Sequence, residues 1–307
     1  MSSINKNTII FIVGPTSSGK SRVAAGLAQK INGEIVSCDS MQVYKEMPII
    51  NQVPLNEILN TVKHYLVEEI SPEEEFNAAK FAAKAEEYIE LIISKDKIPV
   101  ITGGTGLYMK SLLDGLFEAP PKDEELRQMF EEIAKDKGNE YIHEKLKEVD
   151  PVTASKLHSN DRIRIIRALE VYEITGSAIS EKKTESEGIY KQYDCRIFGL
   201  SVPRDKLYKR IEQTVVKMID SGLVDEVKKL KKKELSLTAQ KALGIKEISR
   251  YLDGEETLAE AVNELKKNTR RYAKRQMTWF NADERIEWID ADIKTSEIVD
   301  EILDRIT

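Results

Sequence analysis

A glycine-rich run near the N-terminus has the residue types and the spacing that bind phosphate. It matches the pattern G-x-x-x-x-G-K-[ST] and consists of Gly14, Pro15, Thr16, Ser17, Ser18, Gly19, Lys20 and Ser21. In this pattern the glycines let backbone N–H groups face a phosphate, Lys20 neutralises phosphate oxygens, and the Ser21 hydroxyl can ligate Mg²⁺. The run follows residues 9–13, which predict a buried strand, and it opens residues 20–31, whose spacing predicts a helix. This context predicts a site for a phosphorylated ligand and leaves the rest of that ligand open.

One carboxylate is expected close to this loop. Residues 34–38 predict a second strand, and Asp39 follows it directly. Because the carboxyl ends of parallel strands face the same crevice, we expect Asp39 near the bound phosphate. There it could cap a turn, orient Mg²⁺ or act as a general base, and its position favours the functional roles.

The next predicted strand, over residues 98–102, ends in glycines rather than in an acidic residue. Many P-loop ATPases carry a metal-orienting Asp at this place, whereas this chain has Gly103, Gly104, Thr105 and Gly106. The difference argues against an ordinary ATPase. Such a turn lets the backbone approach the crevice and presents the Thr105 hydroxyl there, although the same spacing also suits a tight turn without a ligand.

Composition excludes several classes of protein. The 307 residues are 41% hydrophobic and 33% charged, which suits about two globular domains and is too apolar for a disordered chain. Residues 9–13 are too short a run to span a bilayer, so we expect no membrane role. Cys38 and Cys195 lack a CxxC spacing, which excludes a cysteine zinc site and favours the cytoplasm. The histidines have no metal-ligand spacing: His64, His143 and His158.

The predicted elements divide the chain into three parts. Residues 1–119 alternate strands with helices, one of them over residues 76–93, and predict a parallel α/β core. Residues 120–190 predict a helical insertion domain, and residues 191–307 predict the second, mostly helical part of the core.

Finer boundaries follow from apolar spacing and glycines. We expect Gly33 to end the first helix, and residues 195–202 and 286–289 to form the last strands. Residues 184–192 predict a linker. The clearest amphipathic helix of the insertion is predicted over residues 161–173, and its apolar face would consist of Ile163, Ile166, Ala168, Leu169 and Tyr172.

Two basic clusters occur in this chain, whose net charge is −6. That net charge disfavours nucleic-acid binding only weakly. Basic helices can grip an RNA backbone while aromatic side chains stack on an unpaired base, or they can form a salt-bridged surface, and we favour RNA for both clusters. For residues 228–233, which have acidic neighbours, we favour the salt-bridged surface. The two clusters are Lys266, Lys267, Arg270, Arg271, Lys274 and Arg275 near Trp279, and Arg162, Arg164 and Arg167.

Seven motifs occur along the chain in the order in which one family carries them. They are GPTSSGKS, CDSMQVY, GGTGLY, NDRIRIIRALEVYEITG, LYKRIEQ, ALGIKEI and TRRYAKRQMTWF. Together they resemble the bacterial tRNA dimethylallyltransferase family. The resemblance implies a P-loop NTPase-like α/β fold, with a parallel sheet flanked by helices and a helical insertion domain. It also implies transfer of a dimethylallyl group from dimethylallyl diphosphate to the exocyclic amine of the adenosine 3′ of the anticodon in tRNA, with release of diphosphate.

The resemblance implies roles for individual residues. Asp39 resembles the family's general base, and Thr105 and Arg210 resemble its residues at the diphosphate and the reaction channel. The expected partners are Mg²⁺ at Ser21, dimethylallyl diphosphate and the tRNA anticodon stem-loop, and we expect a monomer. The tRNA-contacting positions expected from the family and from the basic clusters are Asp39, Ser40, Met41, Gln42, Thr105, Arg127, Ile163, Arg164, Ile165, Ile166, Arg167, Arg271 and Arg275.

One segment departs from the family's usual sequence. Residues 46–54 read EMPIINQVP where the family usually reads close to GMDIGTAKP, so a glycine, a threonine and a lysine are missing. Two other functions remain open from the residues alone. One is a P-loop kinase of a nucleoside or other small metabolite, which needs no RNA-binding face. The other is a nucleotide-gated RNA-binding module, in which Asp39 would only orient a metal.

Overall fold

The computed structural model describes residues 4–5, 7–116, 120–183 and 187–307, and its centre is a parallel sheet. The strands are β1 (Thr8–Val13), β2 (Gly33–Ser37), β3 (His64–Tyr65), β4 (Ile98–Gly103), β5 (Asp194–Ser201) and β6 (Ile286–Asp290). Their order across the sheet is β3-β2-β4-β1-β5-β6, and each neighbouring pair is parallel. The predicted α/β fold is confirmed. Only the two-residue β3, too short to show a pattern, was not predicted.

Helices cover both faces of the sheet and form the insertion. The predicted helix over 76–93 begins two residues later than expected, because the Asn77 side chain accepts hydrogen bonds from the backbone N of Ala79 and of Lys80, at 3.0 Å each. The α-helices in the described ranges are α1 (Lys20–Lys30), α2 (Asn56–Leu59), α3 (Ala78–Ser94), α4 (Gly106–Asp114), α5 (Glu124–Lys137), α6 (Asn139–Val149), α7 (Pro151–Ala154), α8 (Arg162–Thr175), α9 (Ile179–Lys183), α10 (Arg204–Asp220), α11 (Leu223–Leu230), α12 (Ile245–Leu252), α13 (Leu258–Phe280) and α14 (Thr295–Ile306).

Gly33 does not end the first helix, so this prediction is wrong. Helix α1 ends at Lys30, Asn32 takes the left-handed conformation with φ of 53°, and Gly33 is the first residue of β2. A Cβ on Gly33 would lie 2.8 Å from the carbonyl oxygen of Ile98 on β4. Glycine is required there because the two strands approach closely.

The buried side chains of β1 divide between the two faces of the sheet. Ile9, Phe11 and Val13 belong to one apolar cluster, whereas Ile10 and Ile12 belong to the other. A strand that is buried on both faces reads as a continuous apolar run, which is why residues 9–13 could be assigned from sequence.

The described chain divides into two compact units. The core unit comprises residues 1–113 and 189–307, and the insertion unit comprises residues 114–188. The insertion unit has its own apolar cluster, which includes Phe130, Ile142 and Leu146. The segment expected to be a linker, 184–192, falls in part outside the described residues, and its residues Ile189–Lys191 form a 3₁₀ turn.

Helix α8 of the insertion unit has the predicted apolar face only in part: Ile166, Ala168 and Leu169 are buried, whereas Ile163 is exposed and Tyr172 is half-buried. Ile163 is 78% exposed, whereas Ile165, Ile166 and Leu169 are buried. The polar side chain of Glu170 is buried on the same helix. The prediction followed apolar spacing alone, and it therefore placed the first-turn Ile163 in the core and left the buried Glu170 out.

No helix among the described residues is both long enough and apolar enough to cross a membrane.

Candidate active site

The phosphate-binding loop lies between the end of β1 and the start of α1. Gly14 has φ of 148° and Gly19 has φ of 96°, conformations that side-chain-bearing residues rarely adopt. A Cβ on Gly14 would also lie 3.0 Å from the carbonyl oxygen of Leu200 on β5. Because α1 begins at Lys20, the backbone N–H groups of Lys20 and Ser21 have no acceptor within the helix. The sequence-predicted loop thus has the geometry of an anion site.

Lys20 and Asp39 are half-buried and lie near each other at this loop. The Lys20 Nζ donates a hydrogen bond to the Pro15 carbonyl oxygen at 2.7 Å. Burial lowers the pKa of Lys20 to about 8, and the nearby Asp39 carboxylate opposes this change. Burial raises the pKa of Asp39 above its ordinary value, opposed by a backbone hydrogen bond from Met41 N to Oδ1 at 2.9 Å and by the charge of Lys20. Asp39 is therefore a stronger base than an exposed aspartate.

Thr105 acts on the segment that carries Asp39. Its Oγ1 accepts a hydrogen bond from the backbone N of Ser40 at 3.0 Å. A Cβ on Gly103 would overlap the carbonyl oxygen of Cys38, so the glycine lets the turn after β4 approach the end of β2. The Gly103–Gly106 turn therefore supports the segment beside Asp39, and a direct contact of Thr105 with a ligand stays a prediction.

Arg210 on α10 is oriented by a carboxylate at the end of β6. Its Nη2 donates to Asp292 Oδ1 at 3.1 Å, and the guanidinium also donates to the Ala291 carbonyl oxygen at 3.3 and 3.4 Å. Lys206 shares the same carboxylate. A guanidinium with fixed partners on one edge can present its other N–H groups to an anion.

One cavity of about 720 Å³ in the core unit brings most of these residues together. Its lining includes Lys20, Ser21, Asp39, Arg210 and Arg275. The expected neighbours of Asp39 also line it, and they are Ser40, Met41 and Gln42. Thr105 acts through Ser40 rather than by lining the cavity, and Arg271 is exposed on α13.

The donor set suits a cation that binds chiefly through phosphate. The described residues contain no group of three or more His, Cys, Asp or Glu side chains able to hold a metal ion. The Ser21 hydroxyl and the Asp39 carboxylate line the same cavity. Mg²⁺ commonly takes one or two protein ligands together with substrate phosphates and waters, so these residues fit it in that mode.

The departing segment 46–54 forms one wall of the cavity and is held by bonds to its backbone. The Glu226 carboxylate accepts hydrogen bonds from the backbone N of Ile49 at 3.0 Å and of Ile50 at 2.8 Å. The Gln42 Nε2 donates to the Gln52 carbonyl oxygen at 3.3 Å. Burial raises the pKa of Glu226, and the two amide bonds oppose this. Gln42 and Glu226 therefore position the segment beside Asp39.

Several residues expected to contact tRNA have structural partners inside the insertion unit. The buried Glu170 carboxylate accepts from Arg127 Nε at 2.9 Å and from Arg167 Nη1 at 2.6 Å. Burial raises the pKa of Glu170, but the hydrogen bonds from both arginines outweigh it and hold the pKa at about 2. Ile165 and Ile166 are buried, so their predicted direct contact with tRNA is corrected to a core role.

Fewer residues of the predicted tRNA-contacting segment, 163–167, are exposed than were expected to contact tRNA. Ile163 projects into solvent, and the Arg164 side chain is 67% exposed while pairing with Asp161 at 2.8 Å. These two residues, at the start of α8, remain the accessible candidates for RNA contact.

The basic cluster on α13 divides into two kinds of residue. Arg270 pairs with Glu212 at 2.7 Å, and Lys267 pairs with Glu264 at 2.9 Å, as on a salt-bridged surface. Arg275 lines the cavity, and its guanidinium lies 5.6 Å from the ring centroid of Tyr272. The cluster is therefore not a uniform RNA-binding face.

Sequence reasoning missed two buried polar residues of this site, Gln276 and Glu226. Gln276 lies within the motif TRRYAKRQMTWF, which was interpreted only for its basic residues. Its side chain bonds to Thr16 and to Gly104. Glu226 lies just before the lysine-rich run 228–233 and could be mistaken for a surface charge. Neither has a local signal, because both have partners far away in the sequence.

The chain is similar over most of its length to proteins of one family. A family model described as IPP transferase matches residues 42–283. The chain is 47% identical over 289 residues to a tRNA dimethylallyltransferase of Acetivibrio thermocellus, with 93% of this chain and 92% of that protein covered. It is 43% identical over 306 residues to tRNA dimethylallyltransferase 2 of Geotalea daltonii, with 99% and 94% covered.

Solved structures show the same fold. The full-length tRNA isopentenylpyrophosphate transferase of Bacillus halodurans matches with a TM-score of 0.72 at 36% identity, covering 98% of this chain and 97% of that one. A eukaryotic dimethylallyltransferase, described as acting on tRNA, matches with a TM-score of 0.76 at 28% identity, covering 93% and 74%. Fold and site thus define a prenyltransferase with a P-loop NTPase-like core. The chain belongs to the IPP transferase family, and the predicted resemblance to bacterial tRNA dimethylallyltransferases is confirmed.

Proposed function

We propose that this enzyme transfers a dimethylallyl group from dimethylallyl diphosphate to the exocyclic amine of the adenosine 3′ of the anticodon in tRNA. One observation carries the proposal. A single cavity combines a phosphate-binding loop with the half-buried carboxylate of Asp39 and with a guanidinium, Arg210, that is held by a neighbouring acidic residue. That arrangement suits a reaction in which diphosphate leaves and a nitrogen loses a proton.

Departure of the diphosphate is the step that the cationic side of the cavity promotes. The bond between C1 of the allylic group and the diphosphate oxygen breaks, and its electron pair leaves with the diphosphate. Lys20, the N–H groups at the start of α1 and Arg210 carry positive charge to that region. Charge placed where negative charge develops lowers the barrier of the reaction.

The amine needs help from a base because its lone pair is delocalised into the purine ring. The amine nitrogen forms the new bond to C1, and the Asp39 carboxylate takes the proton that the nitrogen releases. Burial raises the pKa of Asp39, which favours proton uptake. The Thr105 hydroxyl holds the backbone N of Ser40, so the segment beside the base keeps one conformation.

Mg²⁺ would be held by the Ser21 hydroxyl together with the diphosphate, and Asp39 lines the same cavity. When bound, the ion neutralises part of the diphosphate charge.

The acceptor base must leave its stack to reach the cavity, at a cost of a few kcal/mol. Arg275 lines the cavity and can pair with a phosphate or stack on a base. On the insertion unit, Ile163 and Arg164 are exposed and can contact RNA. We propose these three residues as tRNA contacts and assign Arg127 and Arg167 to the buried pair with Glu170.

Mass analysis of the RNA tests the proposal. The enzyme is incubated with dimethylallyl diphosphate, Mg²⁺ and an unmodified tRNA transcript, and the nuclease digest is analysed for one added dimethylallyl group. A matched transcript with guanosine in place of the adenosine 3′ of the anticodon should gain none. Phosphate transfer from ATP to a nucleoside, with no prenyl product, would replace the proposal by the kinase.

A further inference from the structure

Gln276 of α13 bridges the two loops that border the crevice. Its side-chain Oε1 accepts a hydrogen bond from the backbone N of Thr16 in the phosphate-binding loop, at 2.9 Å. Its Nε2 donates to the Gly104 carbonyl oxygen in the turn after β4, also at 2.9 Å. The residue is 6% exposed, so both bonds form away from bulk water. One buried amide thus connects the phosphate-binding loop to the turn that carries Thr105.

The bridge made by Gln276 requires the oxygen and the nitrogen of a side-chain amide, and it requires a glycine at position 104. A glutamine offers one acceptor and one donor, whereas a glutamate at neutral pH offers no donor for the Gly104 carbonyl. A Cβ on Gly104 would overlap the Gln276 amide nitrogen, while the nearest backbone atom in space, the Gly14 carbonyl oxygen, would lie at an ordinary 3.5 Å. The absence of a side chain at Gly104 therefore makes room for this amide.

A second residue of the same helix reinforces the connection. Tyr272 lies one turn before Gln276 and lines the cavity. Burial and the charge of Asp39 raise the pKa of its hydroxyl, and the side chains of Thr105 and Gln276 lie close enough to oppose that rise. Helix α13 thereby contacts the phosphate-binding loop and the turn at once.

We propose that Gln276 is a positioning residue for the prenyl donor: by tying Thr16 to Gly104 it presets the phosphate-binding loop for the diphosphate. Gln276 also lines the cavity, but both ends of its amide are bonded to backbone, so it acts through the loop. The inference rests on the proposed function and adds to it a residue that governs the donor side of the site. Loss of the Gln276 bridge should weaken the binding of diphosphate and leave the binding of tRNA unchanged.

Two substitutions break the bridge from opposite ends. Gln276→Glu keeps the size of the side chain and removes the donor, and Gly104→Ala keeps Gln276 and displaces its amide. Each variant should weaken the binding of inorganic pyrophosphate by on the order of tenfold, measured by calorimetry without tRNA. Gln192→Ala, at an exposed glutamine before β5, is the matched control and should bind like wild type.

Combining the substitutions tests whether they break the same bridge. The double variant should bind pyrophosphate within about twofold of Gln276→Glu alone, because the bridge is already lost. In turnover, the KM for dimethylallyl diphosphate should rise in each variant, while the KM for tRNA stays within about twofold of wild type. A purely structural role would lower the thermal midpoint and alter both constants equally.

The outcomes separate the inference from the function on which it rests. Wild-type pyrophosphate affinity in both single variants, or fully multiplicative losses in the double variant, would overturn the role of Gln276 and leave the prenyl transfer intact. A wild-type enzyme that does not bind pyrophosphate would overturn the assigned function and the inference together.

Discussion

Diphosphate binding should weaken as the pH rises through about 8, because burial lowers the pKa of Lys20 to about 8. In the free enzyme the ammonium is then charged in about nine of ten molecules at pH 7 and in about one of ten at pH 9. A neutral amine does not neutralise phosphate oxygens. If binding requires the charged form, the affinity for diphosphate should fall about tenfold between these two pH values.

The direction follows from linkage between proton and ligand. Bound diphosphate favours the charged form of Lys20, so its pKa rises in the complex and the enzyme takes up a proton as the ligand binds. This uptake should be absent near pH 6, where Lys20 is already charged, and should grow above pH 8. Calorimetry of pyrophosphate binding in two buffers with different ionisation enthalpies measures it.

Lys20→Arg is the matched control because a guanidinium stays charged over this range. Its affinity for pyrophosphate should be lower than that of wild type, since the loop is shaped for an ammonium, but it should change little between pH 7 and pH 9. The comparison also cancels the ionisation of pyrophosphate itself. An equal decline in the arginine variant would show that Lys20 does not titrate in this range, and the reasoning would fail.

Three other predictions concern the base and the insertion unit. Asp39→Asn should lower the single-turnover transfer rate on the order of 10² or more and leave tRNA binding within a few-fold, with Asp300→Asn on the exposed face of α14 as the control; equal losses of rate and binding would contradict its role as a base. Arg164→Ala should reduce the salt dependence of tRNA binding by about one phosphate contact, whereas Arg167→Ala should chiefly lower stability. The reverse result would show that Arg167 contacts RNA. Glu170→Gln should lower the free energy of unfolding on the order of 3 kcal/mol at pH 7, because the folded pKa of about 2 lies below the ordinary 4.5. The difference in unfolding free energy between wild type and variant should disappear as the pH falls through that interval. A difference that does not depend on pH in denaturant titrations would refute the ion-pair explanation.

The sheet and the phosphate-binding loop could be predicted because their signals are local. A strand that is buried on both faces is a continuous apolar run, as in residues 9–13, and the loop has a fixed spacing between that strand and the helix. The position of Asp39 could be predicted because the carboxyl ends of parallel strands face the same crevice. Each of these inferences needs only a short stretch of chain and one rule of topology.

The remaining features depend on partners that no local pattern reveals. Gln276 bonds to residues 172 and 260 positions earlier, and Glu226 bonds to amides 176 and 177 positions earlier. Arg127 and Arg167 have the spacing of surface cations, yet both are paired with the buried Glu170. A charged residue can be assigned to RNA or to a buried pair only when its partner in space is known.

Segment 46–54, which departs from the family pattern, is held by hydrogen bonds to its backbone. Glu226 accepts from the backbone N of Ile49 and Ile50, and Gln42 donates to the carbonyl oxygen of Gln52, so these bonds do not depend on the side chains of the segment. Hydrogen bonds to a charged carboxylate are each worth about 1.5–3 kcal/mol, enough to hold a short loop against its conformational entropy. The missing lysine of the family pattern falls at Val53, which lines the cavity. The departure from the family pattern therefore changes the charge of the wall, and the bonds to its backbone hold the segment beside Asp39.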